Sequence, residues 1–320
     1  MLLARFIMWS FSIGMLVLGA GGIYAQIFPS KPIRIVTTAV GGANDLLSRI
    51  VAQEISGPLG QQVIVENRPS GVIPGEIVSK APADGYVLLF SGSSLWILPL
   101  MQSKIPYDPV KDFSPITFVS SAPSILLVHP SVPVKSVKEL IALAKANPRA
   151  LNYSSVGAGA TSHLSAELFK SMTGVDIVRI PYASNNALIT DLISGQTQLT
   201  FGLISLFMPH VKSGKLRALA VSSAQPSALF PGLPPIAATV PGYESVSMQG
   251  MFAPAKTPAV IIRRLNEAIV RVLIQPDVKQ KLAAIGAEVV ANSPQQAAAT
   301  VKGEMTRMGK VIKDAGIRAE

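Results

Sequence analysis

Two glycine-rich segments of the chain have the residue types and spacing of anion-binding turns. The first is Gly41-Gly42-Ala43-Asn44 and the second is Gly157-Ala158-Gly159-Ala160-Thr161-Ser162. Each follows a short apolar run that predicts a strand and precedes a pattern that predicts a helix. The free N–H groups and the dipole of a helix N-terminus favour a carboxylate or a phosphate at that position. An ordinary strand-to-helix turn also uses glycine, and that alternative stays open for each turn taken alone.

Polar side chains beside the two turns complete the candidate site. Asn44 or Asp45 is predicted to cap the first helix, and Thr161 or Ser162 the second, with hydroxyl groups left for a ligand. Other candidates lie at the ends of predicted strands, where open α/β sheets bind ligands. They are Ser91, Ser93, Ser94, Tyr182 and Ala183. We interpret the nearby Trp96 as a core residue.

The residues that enzymes and metal sites require are missing or badly placed. The chain has no cysteine, and its three histidines lie far apart, so neither thiol chemistry nor a histidine metal site is expected. It contains no Gly-x-Ser-x-Gly elbow, and Ser162 and His163 are neighbours whose side chains diverge at a helix start. We therefore predict no catalytic residue, no metal and no cofactor. An enzyme acting on an anionic substrate in the same cleft remains the alternative.

The second turn also has nearly the spacing of a dinucleotide fingerprint, in Gly157, Gly159 and Ser162. That fingerprint requires an acidic residue at the carboxyl end of the following strand. Asp176 stands at the entry end of that strand, and Pro181-Tyr182 occupies the other end. The position of the acid therefore disfavours a nucleotide cofactor.

The composition indicates a folded protein with a positive net charge. Hydrophobic residues make up 49% and charged residues 14% of the 320 residues, which argues against disorder. The formal net charge of +10 could suggest nucleic-acid binding. The Lys and Arg residues are spread singly, however, with no run longer than Arg263-Arg264, and no aromatic residues alternate with them. We expect no nucleic-acid partner, and a mild attraction for anionic ligands.

Residues 1–25 have the pattern of a secretory signal peptide. Arg5 is their only charge, an apolar core follows it, and small residues lead to Ala25. We predict cleavage after about Ala25 and export of a soluble protein to the periplasm. Retention of the segment as a membrane anchor is the alternative, since the apolar stretch nearly reaches the length of a membrane span.

Strand and helix patterns alternate along the remaining chain, which predicts an α/β fold with mostly parallel sheets flanked by helices. Strands are predicted at residues 33–37, 63–66 and 86–90, and a helix at residues 45–55 with Leu46, Leu47, Ile50 and Val51 on one face. The same order of strand, glycine turn, helix and strand recurs at residues 151–182. Ser136 with Glu139, and Ser293 with Gln296, predict capping boxes. Two lobes, each with one glycine turn, are expected, and Pro-rich residues 122–133 and 231–241 are candidate connections between them.

A series of short motifs resembles the extracytoplasmic solute receptors of tripartite tricarboxylate transporters, the Bug or TctC-like family. In chain order they are PSKPIRIV (29–36), GG (41–42), VENRP (65–69), ADGY (83–86), PYDPVKDF (106–113), HPS (129–131), LNY (151–153), SHL (162–164), IPY (180–182) and GKLRALA (214–220). The resemblance extends from residue 28 to about residue 317.

This resemblance implies a type II periplasmic binding protein with two lobes that close on a carboxylate. Residues 26–123 and 249–320 would form the first lobe, and residues 124–248 the second. The carboxylate would be gripped by Gly41, Gly42, Ala43 and Asn44 in the first lobe and by Ser155, Gly157, Gly159, Ala160, Thr161 and Ser162 in the second. Membrane permease subunits would be the partners, and the receptor would be a monomer. A ligand-binding partner of a membrane sensor is a further alternative.

Besides Ala43 and Asn44, which stand where the family commonly has a third glycine and a threonine before Asp45, four positions depart from the family pattern. Thr38 and Val40 stand where the family usually has an aromatic residue and a proline before the glycines. Gln198 and Gly202 replace acidic residues of the family. These four departures concern the part of the pocket away from the glycine turns, so the sequence does not identify the carboxylate.

Overall fold

The computed structural model describes residues 28–69 and 71–318. The signal peptide predicted for residues 1–25 lies outside these residues. The strands are β1 (Ile33–Thr37), β2 (Val63–Asn67), β3 (Val87–Gly92), β4 (Phe113–Val128), β5 (Asn152–Ser155), β6 (Val178–Pro181), β7 (Leu199–Leu203), β8 (Arg217–Val221), β9 (Val246–Pro254) and β10 (Glu288–Val289). The helices are α1 (Ala43–Leu59), α2 (Ile73–Ser79), α3 (Ser94–Met101), α4 (Val137–Ala146), α5 (Thr161–Thr173), α6 (Asn185–Ser194), α7 (Ile204–Lys212), α8 (Ala259–Leu273), α9 (Pro276–Ala284) and α10 (Pro294–Asp314).

The strands form a curved sheet in the order β2-β1-β3-β9-β4-β7-β5-β6, and β8 and β10 also pair with β4. β1 pairs in parallel with β2 and β3, and β5 pairs in parallel with β6 and β7. β4 and β9 are antiparallel to their neighbours and join the two parallel groups. The predicted α/β fold with flanking helices is confirmed, and the sheet is mixed, because β8 and β10 also pair antiparallel with β4.

Strand β4 connects the two parallel groups because it changes partners along its length. Its residues 113–123 pair with β9, and its residues 124–128 pair with β7 and β8. The chain returns to the first group at β9, where Val246 pairs with Pro123. The Pro-rich residues 231–241 stay beside β8, since the Val221 N–H donates to the Pro234 carbonyl. The lobe boundaries themselves remain a prediction.

Helix α1 positions the first glycine turn by packing on the sheet. Leu47, Val51, Ile55 and Leu59 recur every fourth residue and are buried. The helix is longer at both ends than the predicted residues 45–55. The placement of Leu46 on the buried face is wrong: its side chain is 45% exposed, because consecutive residues point about 100° apart around a helix.

The second predicted unit, at residues 151–182, forms β5, α5 and β6 in that order. Helix starts elsewhere follow the capping predictions in part. The complete box at α10 is confirmed, with Ser293 and Gln296 each accepting from the backbone of the other. At α4, Ser136 accepts from the Glu139 N–H, but the Glu139 carboxylate accepts from the Lys135 N–H, so only half of that box forms.

Candidate functional site

The first glycine turn follows β1 and ends at the N-terminus of α1. Gly41 has a φ of +85°, a left-handed conformation that favours glycine. Gly42 is the residue before the helix, and no side chain caps it. The prediction that Asn44 or Asp45 caps α1 is therefore wrong, because the helix begins at Ala43 and includes both residues. The first N–H groups of α1 have no intrahelical partner and point away from the helix toward the turn.

The buried carboxylate of Asp45 holds this turn in place. Its Oδ2 accepts from the Gly41 N–H at 2.9 Å, and its Oδ1 accepts from Asn67 at 2.9 Å and from Arg49 at 2.8 Å. Burial acts to raise the pKa of Asp45, but the bonds from Gly41 and Asn67 and the charge of Arg49 outweigh it and lower the pKa. Asp45 is thus an anion whose charge is satisfied within the turn.

The second glycine turn follows β5 and ends at α5. Gly159 has a φ of +75°, and its N–H donates to Nδ1 of His163 at 3.2 Å. Ser162 accepts from the Val156 N–H at 3.3 Å, and Ala160 is the residue before the helix. Neither Thr161 nor Ser162 caps α5 as predicted, since both lie within its first turn. The Thr161 hydroxyl makes no hydrogen bond to any residue that the structure describes.

His163 fixes the second turn as a neutral side chain. Burial, with the charge of Arg179, lowers its pKa to about 4. Because a backbone N–H only donates, Nδ1 must be the acceptor, and Nε2 carries the proton. The sequence predicts His163 as a turn or helix-end residue and not as a base, and this agrees with its contact. Its bond to Gly159 could not be read from the sequence.

Arg179 supports the same turn from β6. Its Nε donates to the Ser155 hydroxyl at 2.8 Å, and its Nη2 donates to the Val156 carbonyl at 3.3 Å. Ser155 is a site residue predicted from the sequence, and Arg179 is not. The alternation of side chains along β6 is its only sequence signal, because the contact depends on the parallel pairing of β5 with β6.

Tyr182 and Ala183 follow β6. The Tyr182 N–H donates to the Ser155 carbonyl, and its hydroxyl donates to Asp191 of α6 at 2.8 Å. Burial and this bond raise the pKa of Tyr182 to about 12. The hydroxyl therefore connects β6 to α6, and Ala183 is exposed beside it.

The serines after β3 lie beside the first turn. The Asn44 amide oxygen lies against Gly92, at 3.4 Å from the position that a Cβ would take there. Ser93 accepts from the Met248 N–H at 3.1 Å, Ser91 is buried and Ser94 is exposed. These contacts bring the start of α1, the end of β3 and the start of β9 together.

Trp96 is a core residue, as predicted. Its ring is fully buried and packs edge-to-face on Phe118 with a centroid distance of 5.6 Å. The last residue of the same helix α3, Met101, touches the second turn, where a Cβ on Gly159 would lie 2.4 Å from the Met101 Cε. Helix α3 therefore begins beside the first glycine turn and ends on the second.

A cavity of about 180 Å³ opens at the N-terminus of α5. The predicted residues that line it are Ala160, Thr161 and Ser162, with Thr200, Phe201 and Gly202 of β7 on another side. Among the described residues that line it, none carries a charged side chain. Larger cavities exist, such as one of about 650 Å³ between α8 and α10, but none of the predicted site residues lines that one.

In residues 28–69 and 71–318, no three His, Cys, Asp or Glu side chains are grouped as metal ligands. Across that same part of the chain, the helices are too short or too polar to span a bilayer.

Residues 47–317 match the family model of the tripartite tricarboxylate transporter family receptor. The chain belongs to this family. It is also 35% identical, over 308 residues, to a UPF0065 protein of Bordetella bronchiseptica, which covers 95% of this chain and 91% of that protein. The family consists of solute-binding receptors and not of enzymes, so the enzyme alternative is set aside.

Two solved structures from Rhodopseudomonas palustris are similar to this receptor. Rpa4515, solved with adipate, is 36% identical with a TM-score of 0.72, and the match covers 92% of this chain and 100% of that one. MatC, solved with bound malate, is 28% identical with a TM-score of 0.66, and the match covers 89% and 100%.

The four positions that depart from the family pattern have different surroundings in this receptor. Gly202 lines the cavity beside α5. Gln198 lies at the other end of the sheet, where it bonds to the backbone of Asn152 and Gly195. The Thr38 carbonyl accepts from Asn67, and Val40 is 73% exposed. Gly202 is thus the departure that alters the cavity.

Proposed function

We propose that this receptor captures a small carboxylate between its two glycine turns. The observation that carries the proposal is the pair of helix N-termini, at Ala43 and Thr161, whose first N–H groups lack intrahelical partners. The nearby cations are already engaged, Arg49 by Asp45 and Arg179 by Ser155. The carboxylate is therefore held by neutral donors, among which the Thr161 hydroxyl is one.

The adipate and malate in the two Rhodopseudomonas palustris structures support a carboxylate ligand. The candidate ligand-binding residues are those of the sequence analysis: Gly41, Gly42, Ala43, Asn44, Asp45, Ser91, Ser93, Ser94, Ser155, Gly157, Gly159, Ala160, Thr161, Ser162, Tyr182 and Ala183. Several of these act through the turn, since Asp45, Ser155 and Tyr182 already bond to the protein.

Binding is proposed to close two lobes, residues 26–123 with 249–320 and residues 124–248. The change of partners within β4 at residues 123 and 124 supports this boundary. A ligand held by both turns stabilises the closed state, because only that state makes both sets of contacts. The receptor would act as a monomer in the periplasm and deliver its ligand to permease subunits of a tripartite tricarboxylate transporter.

The proposal is tested by thermal shift of residues 26–320 with di- and tricarboxylates, aromatic acids and nucleotides. A ligand at 100 times its dissociation constant adds about 2.7 kcal/mol to the free energy of unfolding. We expect a carboxylate to raise the melting temperature. A shift with nucleotides alone would contradict the proposal.

The glycine turns are tested by the double variant Gly42→Val, Gly159→Val, which should abolish binding. A Cβ at Gly42 meets only the Ala39 carbonyl at 3.7 Å, so that change leaves the fold intact. The control is Gly303→Val, Gly174→Val: Gly174 has a φ of +69° like Gly159, and both control sites have open space, whereas a Cβ at Gly159 also meets the Met101 Cε at 2.4 Å. Unchanged affinity in the first pair, or an equal loss in both pairs, would refute the two-turn site. Gly42→Val alone distinguishes lost binding from lost folding.

A further inference from the structure

We propose that the ligand of this receptor has an apolar body of about six carbon atoms, which enters the cavity beside α5 and meets the hydroxyl of Ser124. The inference rests on the proposed function, because the glycine turns supply the carboxylate contacts. It adds the class of carboxylate: an aromatic or medium-chain acid in preference to a compact polyanion.

One wall of the cavity is apolar and buried, whereas Ser124, Thr161, Ser162, Asn185 and Thr200 supply polar groups elsewhere in the lining. Leu188 of α6, Phe201 of β7 and Phe207 of α7 form this apolar wall and are each exposed by 2% or less. Phe207 lies directly over Gly202, where a Cβ would come within 2.3 Å of its ring. The absence of a side chain at Gly202 therefore allows the Phe207 ring to pack there, and the ring makes this wall apolar.

The cavity has no charge that could receive a second or third carboxylate of a compact acid. Its lining residues carry no cationic side chain. Arg179 is the cation beside the second turn. It does not line the cavity, and its guanidinium is bound to the Ser155 hydroxyl and to the carbonyl of Val156, a lining residue. A carboxylate pushed in beyond the start of α5 would lose its water without a charged partner, which is strongly unfavourable. Citrate places three such groups on a short skeleton.

One buried polar atom in the cavity has no partner. The Ser124 hydroxyl oxygen is buried and has no hydrogen-bond partner among the residues that the structure describes, although the residue lines the cavity. Both backbone groups of Ser124 are bonded to Ser222. The Ser124 N–H donates to the Ser222 hydroxyl at 2.8 Å, and the Ser222 N–H donates to the Ser124 carbonyl at 2.9 Å. Buried hydroxyls usually have a partner, and because this one faces a cavity, a ligand atom or an ordered water can supply it.

The size of the cavity sets the size of the ligand body. A dry engineered cavity of about 150 Å³ accepts benzene, and this cavity has about 180 Å³. A ring or a chain of about six carbons therefore fits. Each methylene that it buries strengthens binding by about four-fold.

Titration calorimetry on residues 26–320 tests the class with two matched pairs of acids and one polyanion. The probes are benzoate with 4-hydroxybenzoate, hexanoate with 6-hydroxyhexanoate, and citrate. We expect the best apolar acid to bind at least about ten-fold tighter than citrate, since several methylene equivalents are buried. Citrate binding tighter than all four would overturn the inference and leave the proposed function standing. Silence toward all five and toward the wider carboxylate panel would refute the proposed function itself.

Ser124→Ala tests the hydroxyl contact. The hydroxylated acid of the better pair should lose about three- to ten-fold in affinity, the value of one hydrogen bond, while its unhydroxylated partner is unchanged. Ser154→Ala is the control, because it removes a buried hydroxyl of β5, on the far side of β7 from β4, that does not line the cavity and donates to the Leu199 carbonyl at 3.4 Å. Equal effects of the two variants, or no loss for the hydroxylated acid in Ser124→Ala, would overturn the role of Ser124.

Discussion

Protonation of His163 should destabilise the receptor in mildly acidic solution. Its pKa is about 4 in the folded chain, through burial and the charge of Arg179, against 6.5 for an ordinary histidine. As the pH falls below 6.5, the unfolded chain takes up a proton that the folded chain refuses, so stability decreases until the pH reaches about 4. A pKa difference of this size corresponds to about 3 kcal/mol in total. Between pH 7 and pH 4.5, the loss from this group is about 2 kcal/mol.

Urea unfolding at these two pH values measures the loss, with His163→Gln as the matched variant. A glutamine side-chain oxygen can accept from the Gly159 N–H, as Nδ1 does, but it does not titrate. We expect wild type to lose about 2 kcal/mol more than the variant on acidification. Equal losses would show that His163 is not the group that takes up a proton in the unfolded chain but not in the folded chain. Ligand affinity should stay constant down to about pH 5 and fall only near pH 4, where the folded receptor itself takes up the proton on Nδ1 and loses the acceptor for Gly159.

Two further substitutions test the walls of the site. Asp45→Ala leaves the Gly41 N–H and Arg49 without their acceptor, and should cost about 1–3 kcal/mol in urea unfolding at pH 7. Because the pKa of Asp45 is lowered from 3.8, its contribution to the free energy of unfolding is present above pH 3.8 and disappears as the pH falls through the folded pKa. The stabilities of wild type and variant should therefore converge at low pH. A difference that stays constant with pH would contradict this. Gly202→Ala forces the Phe207 ring to move, and should lower stability by about 1–3 kcal/mol and weaken ligand binding. A variant with unchanged melting temperature and affinity would show that the ring does not shape the cavity.

The sequence predicts those parts of the fold and site that depend on neighbours in the chain. Strand β1, the glycine turn and helix α1 are adjacent, so the apolar run, the glycines and the helical periodicity indicate each of them. The same holds for β5, α5 and β6. Trp96 is assigned to the core for a similar local reason, since it stands within an apolar run. Helix limits are less secure, and an error of two residues at α1 turned Asn44 and Asp45 from predicted caps into residues of the helix.

The contacts that hold the turns could not be predicted, because they join distant parts of the chain. Asn67 reaches Asp45 only because β2 pairs with β1. Arg179 reaches Ser155 only because β6 pairs with β5. Ser124 is an ordinary serine in the sequence, and it becomes distinctive only where β4 changes partners and leaves its hydroxyl facing a cavity.

The proposed binding of an anionic ligand by neutral donors follows from the contacts that the charged residues already make. Asp45 and Arg49 neutralise each other at the first turn, and Arg179 is bound to the backbone and hydroxyl behind the second. An arginine that contacted the ligand would retain much of its attraction after one lobe moved away, since charge attraction falls slowly with distance. Hydrogen bonds from N–H groups require contact and a narrow angle. In the proposed closure, opening therefore removes one set of contacts completely, which lets the receptor bind its carboxylate tightly when closed and still release it to the permease.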